Sequence, residues 1–453
     1  MREQHDMHSI SDMHSVSDMR SASYDAVVIG GGAAGMAAAL ELDAEGFSCA
    51  IIEREDHLGG ILMQCIHNGF GLHEFKEELT GPEFAERFIN RVVKSKIAVF
   101  LNTTVTQFET VSPSSLESLV PSSGSSFSIS NYSLLYCVSP SGVMQITCRA
   151  ALLAMGCRER NRGNIRIPGS RPAGIYTAGL AQRLVNIEGY IPGKEVVIIG
   201  SGDIGLIMAR RMSWAGCRVK AVVEIMPYPA GLTRNIVQCL NDFDIPLYLS
   251  SQTTNIFGKD RVQGIEVTPM ENGILASDKS FRIDCDTILL SVGLIPENEL
   301  SRAAGIELNS VTNGPLVDSF LMTNMEGVFA CGNVLHVHDL ADWVCEESRR
   351  AGRYAALWLD GNRPSLQIKT KAGSNVRYVN PSGVDPEKEN TIYMRSMILK
   401  NDATLEVRMN DQVIKSKKER HVQPSEMICV KLGPKDFEGK KFNPDSVLEF
   451  IIN

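Results

Sequence analysis

The sequence predicts an α/β protein in which two similar strand–turn–helix units precede a small all-β domain. The two units are centred on glycine-rich turns at Gly30 and Gly200, and each turn lies between a short apolar strand and a helix. At 453 residues, the chain is long enough for two to four domains. From residue 366 onward, short alternating runs separated by turn residues predict a β-rich domain.

The composition excludes several classes of protein. The formal net charge is −8 and lysine and arginine form no block, so we expect no nucleic-acid partner. No apolar run approaches the roughly 18 residues of a membrane span, and the N-terminus lacks the apolar core of a secretion signal. We therefore expect a cytoplasmic protein without a membrane span. Eleven cysteines without a C-x-x-C pair favour reduced thiols over a metal cage or a disulfide framework.

The first glycine-rich turn has the pattern G-x-G-x-x-G and follows the apolar strand Ala26–Ile29. Its first glycine permits a tight turn, the second lets the backbone approach a pyrophosphate, and the third lets helix and strand pack closely. The phosphates are then expected at the helix N-terminus, where free N–H groups bind anions. The predicted dinucleotide contacts of this turn are Gly30, Gly32, Ala33, Ala34 and Gly35.

The second turn repeats the pattern. The strand Glu195–Ile199 precedes it, and a helix over Leu206–Arg211 follows. Two complete fingerprints, each between a strand and a helix, indicate two dinucleotide-binding domains rather than a chance match. The predicted contacts of the second turn are Gly200, Gly202, Asp203, Ile204 and Gly205.

An acidic residue ends the next strand of each unit, about twenty residues after the first glycine, where a carboxylate binds a ribose hydroxyl pair. These residues are Glu53, after Cys49–Ile52, and Glu224, after Val219–Val223. A carboxylate at Glu224 accepts a hydrogen bond from the ribose 2′-OH and repels a 2′-phosphate, and the next residues, 225–227, include no arginine. The sequence therefore favours NAD over NADP in the second domain.

Three further segments resemble motifs of the two-dinucleotide-domain flavoproteins of the glutathione-reductase-like type. Ala150–Gly156 resembles the strand at which the chain crosses between domains. Ile288–Pro296 resembles the returning strand and turn, and Gly327–Asn333 resembles the second FAD motif. The resemblance implies two nucleotide-binding three-layer (ββα) domains, with the NAD domain inserted in the FAD domain. It also implies the cofactors FAD and NAD(H).

Four stretches are similar to the FAD/NAD-dependent oxidoreductases of the opine-oxidase and hydrogen-cyanide-synthase subunit type, and the resemblance covers about residues 24–365. They are His57–Gly71, Lys76–Gly81, Met155–Arg160 and Cys331–Asp339. Met155 replaces the usual Thr and Asn333 the usual Asp. We expect FAD binding to survive, because the Asn333 amide still bonds a ribityl hydroxyl or a phosphate oxygen. The cofactor contacts implied outside the two glycine-rich turns are Glu53, Arg54, Gly60, Gln64, Val105, Met155, Gly156, Glu224, Gly293, Gly332 and Asn333.

These motifs set the predicted domain boundaries. The N-terminal tail is a serine-rich hexad repeat that we expect to be disordered. The predicted parts are the tail 1–23, the first FAD segment 24–160, the NAD domain 161–284, the second FAD segment 285–365 and the β-rich domain 366–453.

Cys65 and His67 are the candidate catalytic residues, because they follow the Gly59–Gly60 pair near the predicted flavin ring. Disulfide reductases of this fold carry two cysteines there, and this chain has one. Since a thiol relay needs an attacking and a resolving thiol, we expect none. Cys65 is either a redox-active thiol or a packed cysteine, and His67 either a proton donor or a structural histidine.

His336, His338 and Asp339 follow the second FAD motif. A His-x-His pair can begin a metal site, but no partner ligands at suitable spacing are evident, so we predict no metal. Asp339 is predicted to be the N-cap of a helix over Leu340–Leu359. By the resemblance, the N-terminus of that helix faces the flavin, where its dipole stabilises negative charge.

Together these features predict an FAD-dependent oxidoreductase that takes hydride from NADH and passes electrons to an unidentified acceptor. The partner is a small-molecule substrate or a redox protein, and a homo-oligomer is possible. An alternative is the flavin subunit of a dehydrogenase for an opine, an amino acid or glycerol-3-phosphate that acts through a second flavoprotein. A third is a binding protein that keeps nucleotide without turnover.

Overall fold

A computed structural model describes residues 20–112, 132–363, 367–410, 412–443 and 445–453. The predicted disordered tail lies outside the described residues as far as residue 19. The first strand begins at Arg20, before the predicted start of the globular part at residue 24. Residues 20–23 pair with Met144–Thr147 in the first sheet.

The first part of the chain forms a sheet covered by two helices. Its elements are β1 (Arg20–Ile29), α1 (Ala33–Ala44), β2 (Cys49–Ile52), β3 (Asn68–Phe70), β4 (Leu79–Thr80), α2 (Gly81–Val93), β5 (Ala98–Phe100), β6 (Thr104–Val111), β7 (Tyr132–Ser139), β8 (Gly142–Leu153) and β9 (Cys157–Glu159). The strand order is β5-β2-β1-β8-β7-β6. β5, β2, β1 and β8 run parallel, whereas β7 and β6 form an antiparallel arm. The second half of β1 is a continuous apolar run buried on both faces, as a central parallel strand requires.

The second part repeats this architecture. Its elements are α3 (Arg162–Ile165), β10 (Ile175–Thr177), α4 (Ala178–Asn186), β11 (Glu195–Ile199), α5 (Asp203–Trp214), β12 (Arg218–Val223), α6 (Thr233–Cys239), β13 (Leu247–Tyr248), β14 (Ser251–Gly258), β15 (Val262–Glu271), β16 (Ile274–Leu275), β17 (Phe281–Ile283) and β18 (Thr287–Leu290). A parallel sheet has the order β10-β18-β11-β12-β13, and β14, β15 and β17 form an antiparallel layer beside it.

The predicted domain boundary at residue 285 is wrong. β18 lies in the middle of the second sheet, between β10 and β11, so this domain extends at least to Leu290. The chain crosses back where β19 (Leu294–Pro296) pairs antiparallel with β9. Sequence position alone did not reveal this, because the partners of β18 come from segments about one hundred residues earlier in the chain.

The returning chain completes the first domain. Its elements are α7 (Glu299–Ala303), β20 (Val328–Ala330) and α8 (Ala341–Leu359). β20 pairs parallel with the end of β8, and α8 packs along α1. The packing is close, since a Cβ atom at Gly352 would lie 2.5 Å from the carbonyl oxygen of Ala38. The second domain is therefore inserted in the first, as predicted.

The C-terminal part is the small β-rich domain that the sequence predicts. Its elements are β21 (Ile368–Ala372), β22 (Val376–Asn380), β23 (Gly383–Val384), β24 (Asn390–Ser396), β25 (Lys400–Met409), β26 (Gln412–Val422), β27 (Met427–Leu432), α9 (Pro434–Phe437) and β28 (Val447–Ile452). Two sheets, β23-β21-β28-β25-β26 and β22-β24-β27, enclose a separate apolar core. The one short helix, α9, is the departure from an all-β domain among the described residues.

Candidate flavin and nucleotide site

The first glycine-rich turn has the backbone geometry that the sequence predicts. Gly30 has φ +109°, and a Cβ atom there would lie 2.5 Å from the carbonyl oxygen of Ala154. A Cβ at Gly35 would lie 1.7 Å from the oxygen of Gly30, so only glycine lets α1 approach β1 this closely. At Gly32 a Cβ would meet no described atom within 4 Å. The space in front of this turn is open.

The N-terminus of α1 is available to an anion. Gly32 is its N-cap, and no side chain of the described residues caps it. The first N–H groups of a helix have no partner within the helix and carry the positive end of its dipole. These are the N–H groups of the predicted contacts Ala33, Ala34 and Gly35, and they fit a pyrophosphate.

Glu53 lies at the mouth of the turn, where it was predicted. Its buried carboxylate accepts from the N–H of Gly31 at 2.7 Å and from the N–H of Glu55 at 2.9 Å. Arg54 instead points to solvent and pairs loosely with Glu55. Val105 lies on β6, two residues after Thr103, whose N–H donates to the backbone oxygen of Glu53 at 2.9 Å.

The second turn has the same construction. Gly200 has φ +92°, and a Cβ there would lie 2.1 Å from the carbonyl oxygen of Ser291. Glu224 accepts from the N–H and the hydroxyl of Ser201, at 2.8 and 2.6 Å, and from the N–H of Met226 at 2.9 Å. Gly202 is the N-cap of α5. The Ser291 hydroxyl accepts from the N–H of Gly205 at 3.0 Å, and the N–H groups of Asp203 and Ile204 have no side-chain partner among the described residues. Two matching cradles thus occupy corresponding positions in the two domains.

Other predicted contacts of the second domain have structural partners. The carboxylate of Asp203 accepts from the N–H of Leu232 and the amide of Asn235, at 2.8 and 2.7 Å. It therefore fixes the loop before α6. Ile204 packs against the apolar core of this domain. Gly293, with φ +95°, bonds through its oxygen to the N–H of Arg160 at the crossing between domains.

Two distant segments complete the first cradle. Gly156 has φ +72° and follows Met155 after the end of β8, and a Cβ there would meet no described atom within 4 Å. Gly332 has φ +71°, and a Cβ there would lie 2.8 Å from the Cβ of Ala34 in the first turn of α1. Asn333 accepts from the N–H of His338 at 3.0 Å. The second FAD motif therefore packs directly on the first.

The segment Gly60–Gln64 connects the first cradle to the second domain. It is a short 3-10 helix, and a Cβ at Gly60 would lie 3.2 Å from the Cα of Gly32. The amide of Gln64 donates to the oxygen of Gly179 at 2.9 Å and to that of Gln182 at 3.0 Å, both on α4. Gln64 thus holds the two domains together.

Cys65 is a protonated thiol in a closed environment. Its Sγ donates to the backbone oxygen of Ile61 at 3.3 Å and to the amide oxygen of Gln182 at 3.6 Å. Burial raises the pKa of the Cys65 thiol to about 12. A thiolate nucleophile is therefore disfavoured in this arrangement, and the geometry favours a packed cysteine.

His67 faces the second domain. Its Nδ1 atom is buried and has no hydrogen-bond partner among the described residues. Burial lowers the pKa of His67 to about 4, and the nearby charges of Arg210 and Arg234 contribute to this shift. The imidazole is therefore neutral at pH 7, and a proton at Nδ1 or Nε2 is held on an uncharged ring.

The predicted capping role of Asp339 is wrong. α8 begins at Ala341 with Leu340 as N-cap and no capping side chain among the described residues. The carboxylate of Asp339 instead pairs with Arg395 of the C-terminal domain and accepts from the N–H of Met427 at 2.6 Å. The partner of the Asp339 carboxylate is therefore the Arg395 guanidinium and not the N-terminus of α8.

The first turn of α8 carries Asp342. Its carboxylate accepts from the N–H groups of Gly71, His73 and Glu74 at 3.1, 2.9 and 2.8 Å. The start of α8 is therefore tied to the loop that follows the Gly60–Gln64 segment. This contact could not be found from the sequence, because Asp342 has no short motif that marks it.

A buried cluster behind the second FAD motif was also missed. Nε2 of His336 and Nε2 of His338 lie 2.9 and 3.0 Å from the two carboxylate oxygens of Glu347, and all three side chains are buried. Among the described residues, they are the one group of three potential metal ligands with ligand atoms within 4.8 Å. Glu347 lies on the helix that the sequence predicts after the two histidines. Its position on that helix was the one feature of the sequence that could have indicated the cluster.

Hydrogen bonds within the protein satisfy most of the polar atoms of this cluster. Nδ1 of His336 lies 3.2 Å from the Tyr378 hydroxyl, and Glu347 also accepts from the N–H of Gly332. Burial raises the pKa of Glu347, but the two histidines outweigh it and hold that pKa well below its usual range. Burial lowers the pKa of His336. The cluster is thus a carboxylate bridging two imidazoles.

Two glycine cradles, each with a buried glutamate beside the N-terminus of a helix, define the class of FAD- and NAD(P)H-dependent oxidoreductases. The chain belongs to the family described as pyridine nucleotide-disulphide oxidoreductase, whose pattern matches residues 24–352. Members of this family use FAD and NAD(P)H. None of the described helices is long and apolar enough to cross a membrane.

The relatives include parts of larger enzymes. An opine oxidase subunit from Agrobacterium tumefaciens is 25% identical over 347 residues, which are 74% of this chain and 65% of that protein. Hydrogen cyanide synthase subunit HcnB from Pseudomonas protegens is 26% identical, over 65% of this chain and 61% of that protein. The chain therefore matches somewhat less than two thirds of each of these two relatives.

Solved structures share the fold. Thioredoxin reductase from T. acidophilum is similar with a TM-score of 0.58 and 21% identity, over 74% of this chain and 98% of that one. A NAD-dependent persulfide reductase from A. fulgidus is similar with a TM-score of 0.53 and 18% identity, over 85% and 68%. These likenesses confirm the predicted two-domain architecture.

Proposed function

We propose that this chain transfers hydride from NADH to FAD and passes the electrons to a second acceptor without a dithiol relay. The observation that carries the proposal is the pair of cradles at Gly30 and Gly200 in domains joined through Gln64. FAD, when bound, supplies the hydride-accepting chemistry. The chain's own residues bind and orient the two nucleotides.

The first cradle is assigned to FAD. The open space in front of Gly32 and Gly156 accepts a pyrophosphate against the N-terminus of α1. Glu53 would exchange one of its bonds for the ribose hydroxyls, and Asn333 would reach the ribityl chain or a phosphate. The N-terminus of α8, close to this cradle through Gly332, would favour negative charge nearby.

The second cradle is assigned to NADH rather than NADPH. Glu224 already lies at the turn, with one oxygen on Ser201 and the other on the N–H of Met226. A 2′-phosphate in this place would meet a carboxylate instead of an arginine. The preference for NADH follows from that repulsion.

The state of Cys65 speaks against a dithiol relay. Cys65 is the one cysteine next to the Gly60–Gln64 segment in the sequence, and its thiol is protonated and packed against Ile61 and Gln182. We assign it a packing role beside the flavin. His67, with its neutral ring at the domain interface, is the residue best placed to hold or donate a proton to a substrate.

The test is an anaerobic titration of the purified yellow protein with NADH and with NADPH. We expect NADH to bleach the flavin absorbance with a large preference over NADPH. A colourless preparation that binds no added FAD, or a flavin that NADH leaves oxidised, would refute the proposal.

Thiol counting tests the relay. The protein, denatured under anaerobic conditions, should show eleven thiols both before and after exposure to NADH, because every cysteine of the chain is free. A relay would hold two cysteines as a disulfide in the oxidised enzyme. A count that rises by two after NADH would therefore contradict this part of the proposal.

A second candidate function is that of one component in a larger dehydrogenase. Two relatives favour it, since they are subunits of an opine oxidase and of a hydrogen cyanide synthase. In this case the acceptor is a partner flavoprotein. Rapid reduction of an artificial dye by the chain alone supports the first proposal, and turnover that appears only with a co-purified flavoprotein supports the second.

We also infer a cytoplasmic location. All eleven cysteines are free thiols, and eight of them are buried. Thiols of this kind persist in reducing compartments. Labelling of intact cells with an impermeant thiol reagent should leave the protein unmodified, and labelling without lysis would contradict the inference.

A further inference from the structure

A cavity lies between the two domains, next to the segment that carries Cys65. Its volume is about 320 Å³. One wall is Ile66–His67, directly after the Gly60–Gln64 segment, and the other is formed by α4 and α5 of the second domain. The cavity therefore lies between the chain that follows the Gly60–Gln64 segment and the second domain.

The charged side chains that line this cavity are Arg210 and Arg211, and both are positive. Arg234 lies near His67 but lines an adjoining cleft, which also holds Asp342 and Glu426. Within the described part of the chain, none of the three arginines has a carboxylate within the 4.0 Å of an ion pair. Arg349 differs in this respect, because it pairs with Glu74 at 2.6 Å. Guanidinium groups without a carboxylate partner favour an anion.

Polar groups of the cavity are also left without partners. Nδ1 of His67 is buried and has no partner in the described residues. A buried polar atom of this kind costs free energy unless a ligand completes its bonding. Arg211 uses Nε on the Asn186 oxygen at 2.7 Å, which orients its guanidinium and leaves other N–H groups for a ligand.

The wall that carries the arginines also has apolar side chains. Ile207 and Met208 of α5 lie in it together with Trp214, whose ring lies 4.9 Å from the guanidinium of Arg210. A ligand in this cavity thus meets cations and carbon side by side on α5. This combination suits a carboxylate on a short carbon skeleton rather than a bare inorganic ion.

The nucleotide cradle is elsewhere on the same helix. The pyrophosphate is expected at Gly202, at the N-terminus of α5, whereas Arg210 lies two turns further along that helix. At a rise of 1.5 Å per residue this separates the two by about 10 Å or more. The arginines of the cavity are therefore available to a second ligand.

We propose that this cavity binds the carboxylate of the second substrate, which is a small organic acid. Arg210 and Arg211 attract the carboxylate, and His67 donates a hydrogen bond to it from Nδ1. This inference rests on the proposed function, since it names the substrate class of the same oxidoreductase.

The test is a calorimetric titration of the FAD-loaded protein with three probes. These are succinate, its uncharged diamide, and inorganic phosphate. We expect succinate to bind, and both the diamide and phosphate to bind at least tenfold more weakly. Equal binding of the diamide would overturn the charge argument, and phosphate binding as tight as succinate would overturn the organic-acid assignment.

Variants locate the site. Arg210→Met and Arg211→Met should each weaken succinate binding at least tenfold, and Arg210→Lys by less. Arg302→Met, which removes an exposed arginine of α7, is the matched control and should bind succinate as the wild type does. Equal succinate affinity in Arg210→Met and Arg302→Met refutes the proposal. Each of the two arginine variants is a test by itself. If one of them misfolds, the other still decides the outcome.

The experiments distinguish a failure of this inference from a failure of the proposed function. Bleaching of the wild-type flavin by NADH without any succinate binding refutes this inference alone. Succinate binding without bleaching refutes the hydride transfer and keeps the site.

Discussion

The backbone N–H of Gly332 donates to a carboxylate oxygen of Glu347 at 2.9 Å. The same carboxylate accepts from His336 and His338, and the His336 ring reaches Tyr378 of the C-terminal domain. One buried carboxylate therefore joins the second FAD motif to the β-rich domain. This relationship gives that domain a structural role at the predicted flavin site.

Replacing Glu347 by Gln should destabilise the protein. The amide has one acceptor oxygen in place of two, so at least one imidazole loses its acceptor in a buried site. Breaking a buried charged network of this kind costs about 3 kcal/mol. Urea denaturation of the FAD-loaded protein measures it, and flavin release at lower urea should accompany the loss. Glu86→Gln, at an exposed position of α2, is the control, and equal stability of both variants would contradict the role.

Alanine at Gly32 and at Gly35 should have different effects. A Cβ at Gly35 collides with the oxygen of Gly30, so the turn itself is disrupted and the protein loses stability. A Cβ at Gly32 meets no described atom, so the apo fold persists and only FAD is displaced. Thermal melting of apo protein and flavin absorbance per chain separate the two. Full flavin content in Gly32→Ala would place the pyrophosphate elsewhere.

The sequence predicts those features of the site that depend on local backbone constraints. The spacing of Gly30, Gly32 and Gly35 between a strand and a helix is such a constraint, and the family match confirms the fold it implies. Features that depend on tertiary partners were missed or wrong. β18 was placed in the wrong domain, since its neighbours come from far earlier in the chain.

Tertiary partners that the sequence does not reveal also explain two features near α8. Asp339 looked like an N-cap, but Arg395 from the C-terminal domain takes its carboxylate. The histidines His336 and His338 showed no ligand partner by spacing, because Glu347 reaches them only when α8 folds back over the loop. Sequence distance does not reveal which of several polar groups will bind a carboxylate.

Replacing Glu224 by Ala should reduce the preference for NADH. The variant loses an acceptor for the ribose hydroxyl and a negative charge that repels the 2′-phosphate. We expect kcat/KM for NADH to fall about tenfold or more, because a hydrogen bond to a charged group contributes about 1.5–3 kcal/mol. The kcat/KM for NADPH should fall less. Steady-state dye reduction measures both. Asp278→Ala, at an exposed site of the same domain, is the control, and an unchanged ratio in Glu224→Ala would refute the assignment.

The stability of the protein should depend on the protonation of His67. Its folded-state pKa is about 4, because burial and the charges of Arg210 and Arg234 disfavour the cation. The unfolded value is about 6.5. Between these values the unfolded chain binds more protons than the folded one, so the free energy of unfolding falls as pH falls from about 6.5 to about 4.

His67→Gln removes this one contribution. The variant's free energy of unfolding should fall less steeply over that pH range, by about 1–2 kcal/mol in total after solvent screening. Other buried histidines such as His336 keep contributing to the slope in both proteins, so the comparison is the difference between the two curves. Urea midpoints at a series of pH values measure it. Parallel curves for wild type and His67→Gln would show that this ring is not held neutral at the domain interface.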